Sequence, residues 1–87
     1  MILVDAIRTY AHARHTNKEW CHMVSDTSLD ELHEMAAAIG VPGLAFEGDH
    51  YDLPPSRRAL AVARGAVEVT SRELLRRMVP PRLGRRR

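Results

Sequence analysis

The hydrophobic positions near the start of the chain form two short runs separated by a polar stretch. Ile2-Leu3-Val4 is a continuous aliphatic run, which is typical of a strand buried on both faces. Residues 8–19 are polar and show no periodicity, so we predict a loop there. Trp20–Ser25 is again rich in apolar residues and predicts a second short strand or an extended segment.

A helix is the clearest prediction for the next segment. Ser28 and Glu31 have the S-x-x-E spacing of a capping box, which marks a helix N-terminus. Apolar residues then recur at helical spacing: Leu29, Leu32, Met35, Ala36 and Ile39. Gly40 suits the residue just beyond a helix end, and Pro42 prevents continuation. We therefore predict one amphipathic helix that starts after Ser28 and ends at Gly40.

The middle of the chain predicts a short extended segment, a loop and a second helix. Leu44–Phe46 can form a short strand, and residues 47–52 are predicted as a polar loop. Pro54-Pro55 suits the start or first turn of a helix, because proline lacks the N–H that this turn leaves unpaired. This second helix is predicted to run to about Arg64 and to stop at Gly65.

The last third of the chain predicts a strand, a third helix and a tail. Ala66–Thr70 predicts the strand, and Thr70 with Glu73 repeats the capping-box spacing. The helix extends to about Val79 and has an apolar face of Leu74, Leu75 and Met78. Alternating strands and helices favour a parallel or mixed sheet of three to four strands, with about three helices in two or three layers. We expect one α/β domain over residues 1–79 and an Arg-rich tail over 80–87.

Composition agrees with one small globular domain. The 87 residues are 45% hydrophobic and 28% charged, and so short a chain has a small core, which allows a homo-oligomer. Cys21 is the single cysteine, so no disulfide can form within the chain. No apolar run reaches the roughly 18 residues of a membrane helix, and the first run is too short for a signal peptide. We therefore expect a cytoplasmic protein that does not enter a membrane.

The net charge of +2 conceals an uneven distribution. Residues 1–71 carry six Lys and Arg against ten Asp and Glu, whereas residues 72–87 carry seven Arg against Glu73 alone. The basic tail can attract a phosphorylated small molecule or a nucleic acid by non-specific electrostatics, or it is simply a solvated end. The acidic body opposes a broad nucleic-acid footprint, and few aromatic residues are present for base stacking.

Several polar side chains lie at or after predicted strands, which is where open α/β sheets bind their ligands. Asp5 follows the first strand, and His22 and Asp26 lie in and after the second extended segment. The segment Asp49-His50-Tyr51-Asp52 is the densest cluster of candidate ligand-binding residues. In a parallel sheet these groups would converge at one edge.

Two chemistries suit these residues. A divalent metal is one, with Asp5, Asp49 and Asp52 as candidate ligands, because such ions prefer oxygen and nitrogen donors. General acid or base catalysis is the other, with His22, Asp49 and His50 as candidates. Alternatively, Asp49 and Asp52 make only local turn and cap hydrogen bonds.

Further candidate ligand-binding residues lie on the predicted helices and in the cluster. Tyr51 belongs to the cluster, and His33 borders the apolar face of the first helix, where it either points into a site or bonds to a backbone carbonyl. Arg57 and Arg58 open the second helix, where backbone N–H groups and arginines attract phosphate; a solvated first turn is the alternative. The chain has no G-x-G-x-x-G or G-x-x-x-x-G-K-[ST], which excludes the common nucleotide loops in their usual form.

Several segments together carry a family resemblance. They are Ile2–Asp5, Cys21–Thr27, Glu31–His33, Phe46–Asp52, Ser56–Arg58 and Gly65–Val67. Over about residues 1–75 the chain resembles the bacterial and phage family called domain of unknown function 4031, most specifically in its H-x-x-x-D and G-D-H-Y-D segments. The resemblance implies a short α/β domain and no established activity. Ala6 stands where the family often has a second acidic residue, which weakens a two-carboxylate metal site at the end of the first strand.

A second similarity is to PIN-like nucleases. Leu3-Val4-Asp5 is similar to their opening strand and acid, and residues 52–70 are similar to their late helix and strand, with Glu73 near the place of their final acid. Such nucleases use clustered carboxylates to hold metal ions that activate water against a phosphodiester.

Three functions therefore stay open. The first is binding of a nucleotide, a nucleic acid or another phosphorylated ligand. The second is a metal-dependent phosphoesterase or nuclease, and the third is a non-catalytic interaction or scaffold domain whose histidines and carboxylates only fasten loops. The first two require candidate residues that are distant in the chain to meet around one cavity: Asp5, His22, His33, Asp49 and His50.

Overall fold

The computed structural model describes residues 1–9 and 19–80 and confirms a small α/β domain. The strands are β1 (Ile2–Val4), β2 (Arg8–Thr9), β3 (Glu19–Ser25), β4 (Tyr51–Leu53) and β5 (Val67–Glu68). The helices are α1 (Leu29–Ala38), α2 (Pro55–Ala63) and α3 (Ser71–Arg77), with one 3₁₀ turn at Gly43–Ala45. Most of the predicted loop over 8–19, and residues 81–87 of the predicted tail, lie outside the described residues.

The five strands form one mixed sheet in which β3 has the most partners. Met23 of β3 pairs with Val4 of β1 and with Tyr51 of β4, so these two strands lie on opposite sides of β3, both antiparallel to it. The start of β3 also pairs with β2, again antiparallel. The β5 strand lies beyond β1 and runs parallel to it. The predicted parallel or mixed sheet is therefore mixed, with one parallel pair among the described strands.

Three of the predicted segments are wrong. Both ends of the predicted loop over 8–19 are strand, since Arg8–Thr9 forms β2 and pairs with β3 from Glu19 onwards. The sheet therefore has five strands and not the predicted three to four.

The β4 strand lies partly in the predicted polar loop over 47–52, because three residues with Asp52 in the middle are too few to show a two-residue period. Leu44–Phe46 is not a strand, since Gly43–Ala45 forms a 3₁₀ turn and Phe46 makes one isolated bridge to Tyr51. The Leu44 side chain is 98% exposed, so it has no buried face that would stabilise a strand.

The sheet divides the core into two layers. On one face, α1 and α2 pack against side chains of three strands: Ile2, Val4, Cys21, Met23, Tyr51 and Leu53. On the other face, Leu74 and Met78 bring α3 against Leu3 and Val24. Successive residues of a strand point to opposite faces, which is why neighbouring positions of β1 and β3 belong to different layers. The domain therefore has three layers, with α3 alone on its side of the sheet in the described part of the chain.

Side-chain caps fix two of the predicted helix starts. Ser28 Oγ accepts from the Glu31 N–H at 3.1 Å, and Thr70 Oγ1 accepts from the Glu73 N–H at 3.0 Å. In a complete capping box the Glu31 carboxylate would accept from the Ser28 N–H. Here Ser25 Oγ accepts from the Ser28 N–H in its place and donates to the Glu31 carboxylate. Within residues 1–9 and 19–80, every helix is too short or too polar to cross a bilayer.

Candidate functional site

The sheet register places three polar side chains in one row on the face that α3 covers. His22 pairs directly with Asp52 across β3 and β4. On the other side of β3, Val4 pairs with Met23, and the next residue, Asp5, donates its N–H to the His22 carbonyl at 3.3 Å. Residues opposite each other in antiparallel strands point to the same face. Asp5, His22 and Asp52 therefore lie side by side although they are far apart in the chain.

Asp5 is the buried anchor of this row, with a relative exposure of 1%. Its carboxylate accepts from the His22 N–H at 2.7 Å, and it bonds to His22 Nδ1 at 2.9 Å and to the Ser71 hydroxyl at 2.8 Å. Burial on its own raises the pKa of Asp5, but the hydrogen bonds from His22 and Ser71 outweigh burial and hold that pKa below its usual value. Asp5 is therefore a carboxylate that orients the His22 ring.

Arg58 supports the same anchor from α2. Its Nε donates to the Asp5 carbonyl at 2.8 Å, and its Nη2 donates to Glu68 of β5 at 3.1 Å. The sequence predicts an anion-binding role for Arg58, and the structure gives its guanidinium these two protein acceptors. Arg58 therefore joins α2, the end of β1 and β5.

His50 forms a second histidine–carboxylate pair beside His22. Its Nδ1 lies 2.6 Å from Asp49 Oδ1, its Nε2 lies 3.3 Å from Asp52 Oδ1, and the His22 and His50 ring centroids are 5.4 Å apart. The Asp52 carboxylate is the main influence that raises the pKa of His50; burial opposes it and Asp49 adds to it. The Nε2–Oδ1 contact is an ion-pair contact, and it favours the charged form of the His50 ring.

Together these contacts assemble a group that can hold a metal ion. His22, His50 and Asp52 each offer one ligand atom, and the three atoms lie within 4.8 Å of one another, the one such group among the described residues. Asp52 Oδ1 is buried and accepts no hydrogen bond within the described chain. Of the three carboxylates predicted as metal ligands, Asp52 belongs to this group, whereas Asp5 and Asp49 contact the Nδ1 atoms of its two histidines.

A cavity of about 130 Å³ opens beside the two histidines, between the sheet and α3. Its polar lining comes from Asp5, His22, His50 and Ser71. Its apolar lining comes from Val24, Leu74, Leu75 and Met78. The candidate site is thus a histidine–carboxylate centre at the edge of a small, largely aliphatic pocket.

Other predicted site residues lie elsewhere. Asp26 forms an ion pair with Arg77 at 2.8 Å. His33 Nδ1 bonds to the Tyr51 hydroxyl at 2.8 Å, and Tyr51 packs in the layer of α1 and α2, on the opposite face of the sheet. The Arg57 guanidinium lies beside Gly40 at the end of α1. The fold therefore brings Asp5, His22, Asp49, His50 and Asp52 together and leaves these other candidates apart.

The sequence did not indicate five residues of the cavity: Val24, Ser71, Leu74, Leu75 and Met78. Ser71 follows the predicted cap residue Thr70, and nothing in its neighbourhood along the chain indicates a contact with Asp5. Leu74, Leu75 and Met78 were recognised as the apolar face of the third helix. An apolar helix face predicts packing on the sheet, whereas its part in lining the pocket depends on where α3 crosses the sheet.

Comparison with known proteins gives one result. A family model described as protein of unknown function, DUF4031, matches residues 2–80. No curated protein and no solved structure matches the chain. The similarity to PIN-like nucleases is not shown by these comparisons. The match spans nearly the whole chain, and so the protein belongs to the DUF4031 family.

Proposed function

We propose that this protein binds a divalent transition-metal ion through His22, His50 and Asp52 and uses it for hydrolysis. The observation that carries the proposal is the grouping of these three ligand atoms within 4.8 Å of one another. Small side-chain rotations would bring them to the roughly 2.0–2.2 Å typical of bonds from zinc to nitrogen and oxygen. Two imidazoles and a carboxylate suit zinc and its first-row neighbours better than magnesium or calcium.

The carboxylates behind the histidines support this assignment. Asp5 lies 2.9 Å from His22 Nδ1, and Asp49 lies 2.6 Å from His50 Nδ1. Histidines that ligate metals through one ring nitrogen usually donate the other N–H to a carboxylate or a carbonyl, which fixes the tautomer and makes the ligand more basic. With Nδ1 of each ring bonded to a carboxylate, Nε2 is the nitrogen that would ligate the ion.

Hydrolysis follows from the number of ligands and from the cavity. Three protein ligands leave a coordination position for water, which distinguishes catalytic zinc sites from structural ones. A bound dication would supply an acidified water molecule as nucleophile, with a pKa near 7. Both histidines of the group line the cavity, so a small substrate in the cavity would lie beside the ion.

Phosphate binding, the first hypothesis from the sequence, has less support. The groove that shares Ser71 with the cavity is lined by Arg8 and Arg58, but it also contains Glu68. Glu68 and Arg58 form an ion pair at 3.1 Å, so the Glu68 carboxylate offsets the positive charge of Arg58. The groove therefore offers little net positive charge to a phosphate group.

Metal binding is tested directly by titration of the chelator-stripped full chain with Co²⁺, followed by its visible absorption bands, and with Zn²⁺ by calorimetry. We expect one ion per chain. His22→Gln, His50→Gln and Asp52→Asn should each weaken binding at least tenfold, since each removes one of three ligands. His33→Gln is the matched control, because His33 bonds to Tyr51 outside the group. Absence of binding at millimolar metal would refute the proposal. So would a variant that carries all three substitutions and binds the metal as tightly as the wild type.

Hydrolysis is tested separately on the metal-loaded protein. A panel of p-nitrophenyl acetate, p-nitrophenyl phosphate and bis(p-nitrophenyl) phosphate covers ester and phosphoester chemistry. We expect turnover of at least one substrate that is lost with EDTA, regained with Zn²⁺ and absent from His50→Gln. Turnover that persists in His50→Gln would arise from another site. Stoichiometric metal binding without turnover of any neutral or anionic ester would contradict the hydrolytic part of the proposal.

A further inference from the structure

The aliphatic lining of the cavity restricts the polarity of the ligand that it can bind. Val24, Leu74 and Met78 line the cavity and are buried on the α3 side of the sheet, at 0%, 3% and 2% relative exposure. Leu75 stands at its rim with 36% exposure. These side chains offer no hydrogen-bond partner, so a charged or strongly hydrated group would lose its water there without compensation.

The volume of the cavity limits the group that fills it. It measures about 130 Å³, close to the roughly 150 Å³ of an apolar protein cavity that takes benzene. A phenyl ring or a short branched alkyl chain therefore fits, whereas a nucleoside or a sugar phosphate does not fit inside. Because His22 and His50 line the same cavity, a molecule that fills it could present a polar group to the metal ion.

The charges around the centre disfavour an anionic ligand. Three carboxylates contact the two histidines: Asp5 contacts His22, and Asp49 and Asp52 contact His50. With a dication bound and both histidines neutral, the centre keeps one net negative charge. No Lys or Arg is among the described residues that line the cavity. A neutral substrate would therefore be favoured over a phosphoester at this centre.

We infer that the ligand is a small uncharged ester or amide, whose carbonyl group faces the ion and whose apolar group, of about the size of a phenyl ring, occupies the pocket formed by Val24, Leu74, Leu75 and Met78. The inference rests on the proposed metal site and adds the class of substrate. The reaction would be simple hydrolysis. Water adds to the carbonyl carbon, the C–O or C–N bond breaks, and the leaving alcohol or amine takes up a proton, so that a carboxylic acid is the second product.

The first test uses three probes on the Co²⁺-loaded full chain, followed by the cobalt absorption bands near pH 8. Imidazole is the neutral reference ligand, 4-phenylimidazole adds a phenyl group, and phenylphosphonate carries the same phenyl group on an anion. Burial of about 80 Å² of apolar surface should make 4-phenylimidazole bind roughly 30-fold more tightly than imidazole. We expect phenylphosphonate to bind more weakly than 4-phenylimidazole.

A variant pair then locates the phenyl group. Leu75→Gln makes the rim of the pocket polar at a half-exposed position, so the fold should be retained. This substitution should remove most of the gain in affinity of 4-phenylimidazole over imidazole, while the affinities for Co²⁺ and for imidazole stay unchanged. Leu60→Gln, at an exposed leucine of α2 on the other side of the sheet, is the control and should change none of the three values.

The outcomes separate this inference from the function on which it rests. If Co²⁺ fails to bind, the metal site itself is wrong. If Co²⁺ binds but the phenyl group brings less than a threefold gain, or Leu75→Gln leaves that gain intact, the pocket is not the ligand site. If phenylphosphonate binds more tightly than 4-phenylimidazole, the centre selects anions and the neutral-ligand inference is overturned.

Discussion

Replacement of Asp5 by asparagine tests the central contact of the site without any metal. The Asp5 carboxylate is 1% exposed and bonds to three groups: the His22 N–H at 2.7 Å, His22 Nδ1 at 2.9 Å and the Ser71 hydroxyl at 2.8 Å. Asparagine keeps the shape but replaces one acceptor oxygen by an NH₂ group. In the place of Oδ1 the NH₂ group would face the His22 N–H, and that bond would be lost. In the place of Oδ2 it could donate to the Ser71 hydroxyl and to His22 Nδ1 only after the hydroxyl turns and the ring changes tautomer, and in either case the bonds lose their charged acceptor.

The size of the loss follows from these bonds. A hydrogen bond to a charged acceptor contributes about 1.5–3 kcal/mol, and a buried donor left without a partner costs about 1–3 kcal/mol. Relief of the desolvation of a buried charge offsets part of this. We therefore expect Asp5→Asn to lower the free energy of unfolding by about 2–4 kcal/mol. Ser71→Ala removes one donor and leaves Asp5 its two bonds to His22, so it should cost about 1 kcal/mol.

The measurement is urea unfolding of the chelator-treated protein, followed by circular dichroism at neutral pH. With an m-value of about 1.5 kcal/mol/M, a loss of 3 kcal/mol would lower the unfolding midpoint by roughly 2 M. Glu34→Gln is the control, because it neutralises an exposed carboxylate on α1 and should change stability by less than about 0.5 kcal/mol. An Asp5→Asn protein as stable as Glu34→Gln would show that the three bonds do not hold the site together.

Two further predictions concern groups outside the site. Burial raises the pKa of the fully buried Cys21 thiol to about 12, so iodoacetamide at about pH 8 should alkylate it in urea and leave the native protein unmodified; rapid alkylation of the native protein would contradict this. The Arg77 guanidinium, with help from the Met1 amino group, lowers the pKa of Asp26 from 3.8 to about 2. A lowered folded-state pKa stabilises the native state above the unfolded value and loses that effect as the pH falls through the folded value. The difference in unfolding free energy between wild type and Asp26→Asn should therefore shrink between about pH 5 and pH 2, and a constant difference would refute the ion pair.

Helix caps, prolines and a continuous aliphatic run predicted the three helices and the first strand. The helix after Ser28, the helix after Pro54-Pro55 and the helix after Thr70 lie where caps and prolines indicate, and the strand at Ile2–Val4 matches its aliphatic run. The wrong boundaries fall where the signal is weak. Tyr51–Leu53 is a strand because it pairs with β3, whose paired residues lie 28 to 32 positions earlier in the chain.

In the candidate site, too, the sequence showed the residue types and the fold assigned their roles. The residue types and the His22 and Asp49–Asp52 motifs are visible in the sequence, which also indicates the family that the match over residues 2–80 confirms. The distribution of roles was not visible there. Asp5 and Asp49 were predicted as metal ligands, and in the fold each contacts a histidine Nδ1, whereas Asp52 lies with the two histidines.

The sequence alone thus determined the three helices, the first strand, the small α/β class and the set of polar residues available for chemistry, because caps, periodicity and composition act over a few neighbouring residues. Tertiary structure decided which of those residues meet. The register of β3 against β1 and β4 brings Asp5, His22 and Asp52 into one row, and the crossing of α3 adds Ser71 and closes the pocket. Pairing register and helix placement result from packing across the whole domain, so no local pattern encodes them.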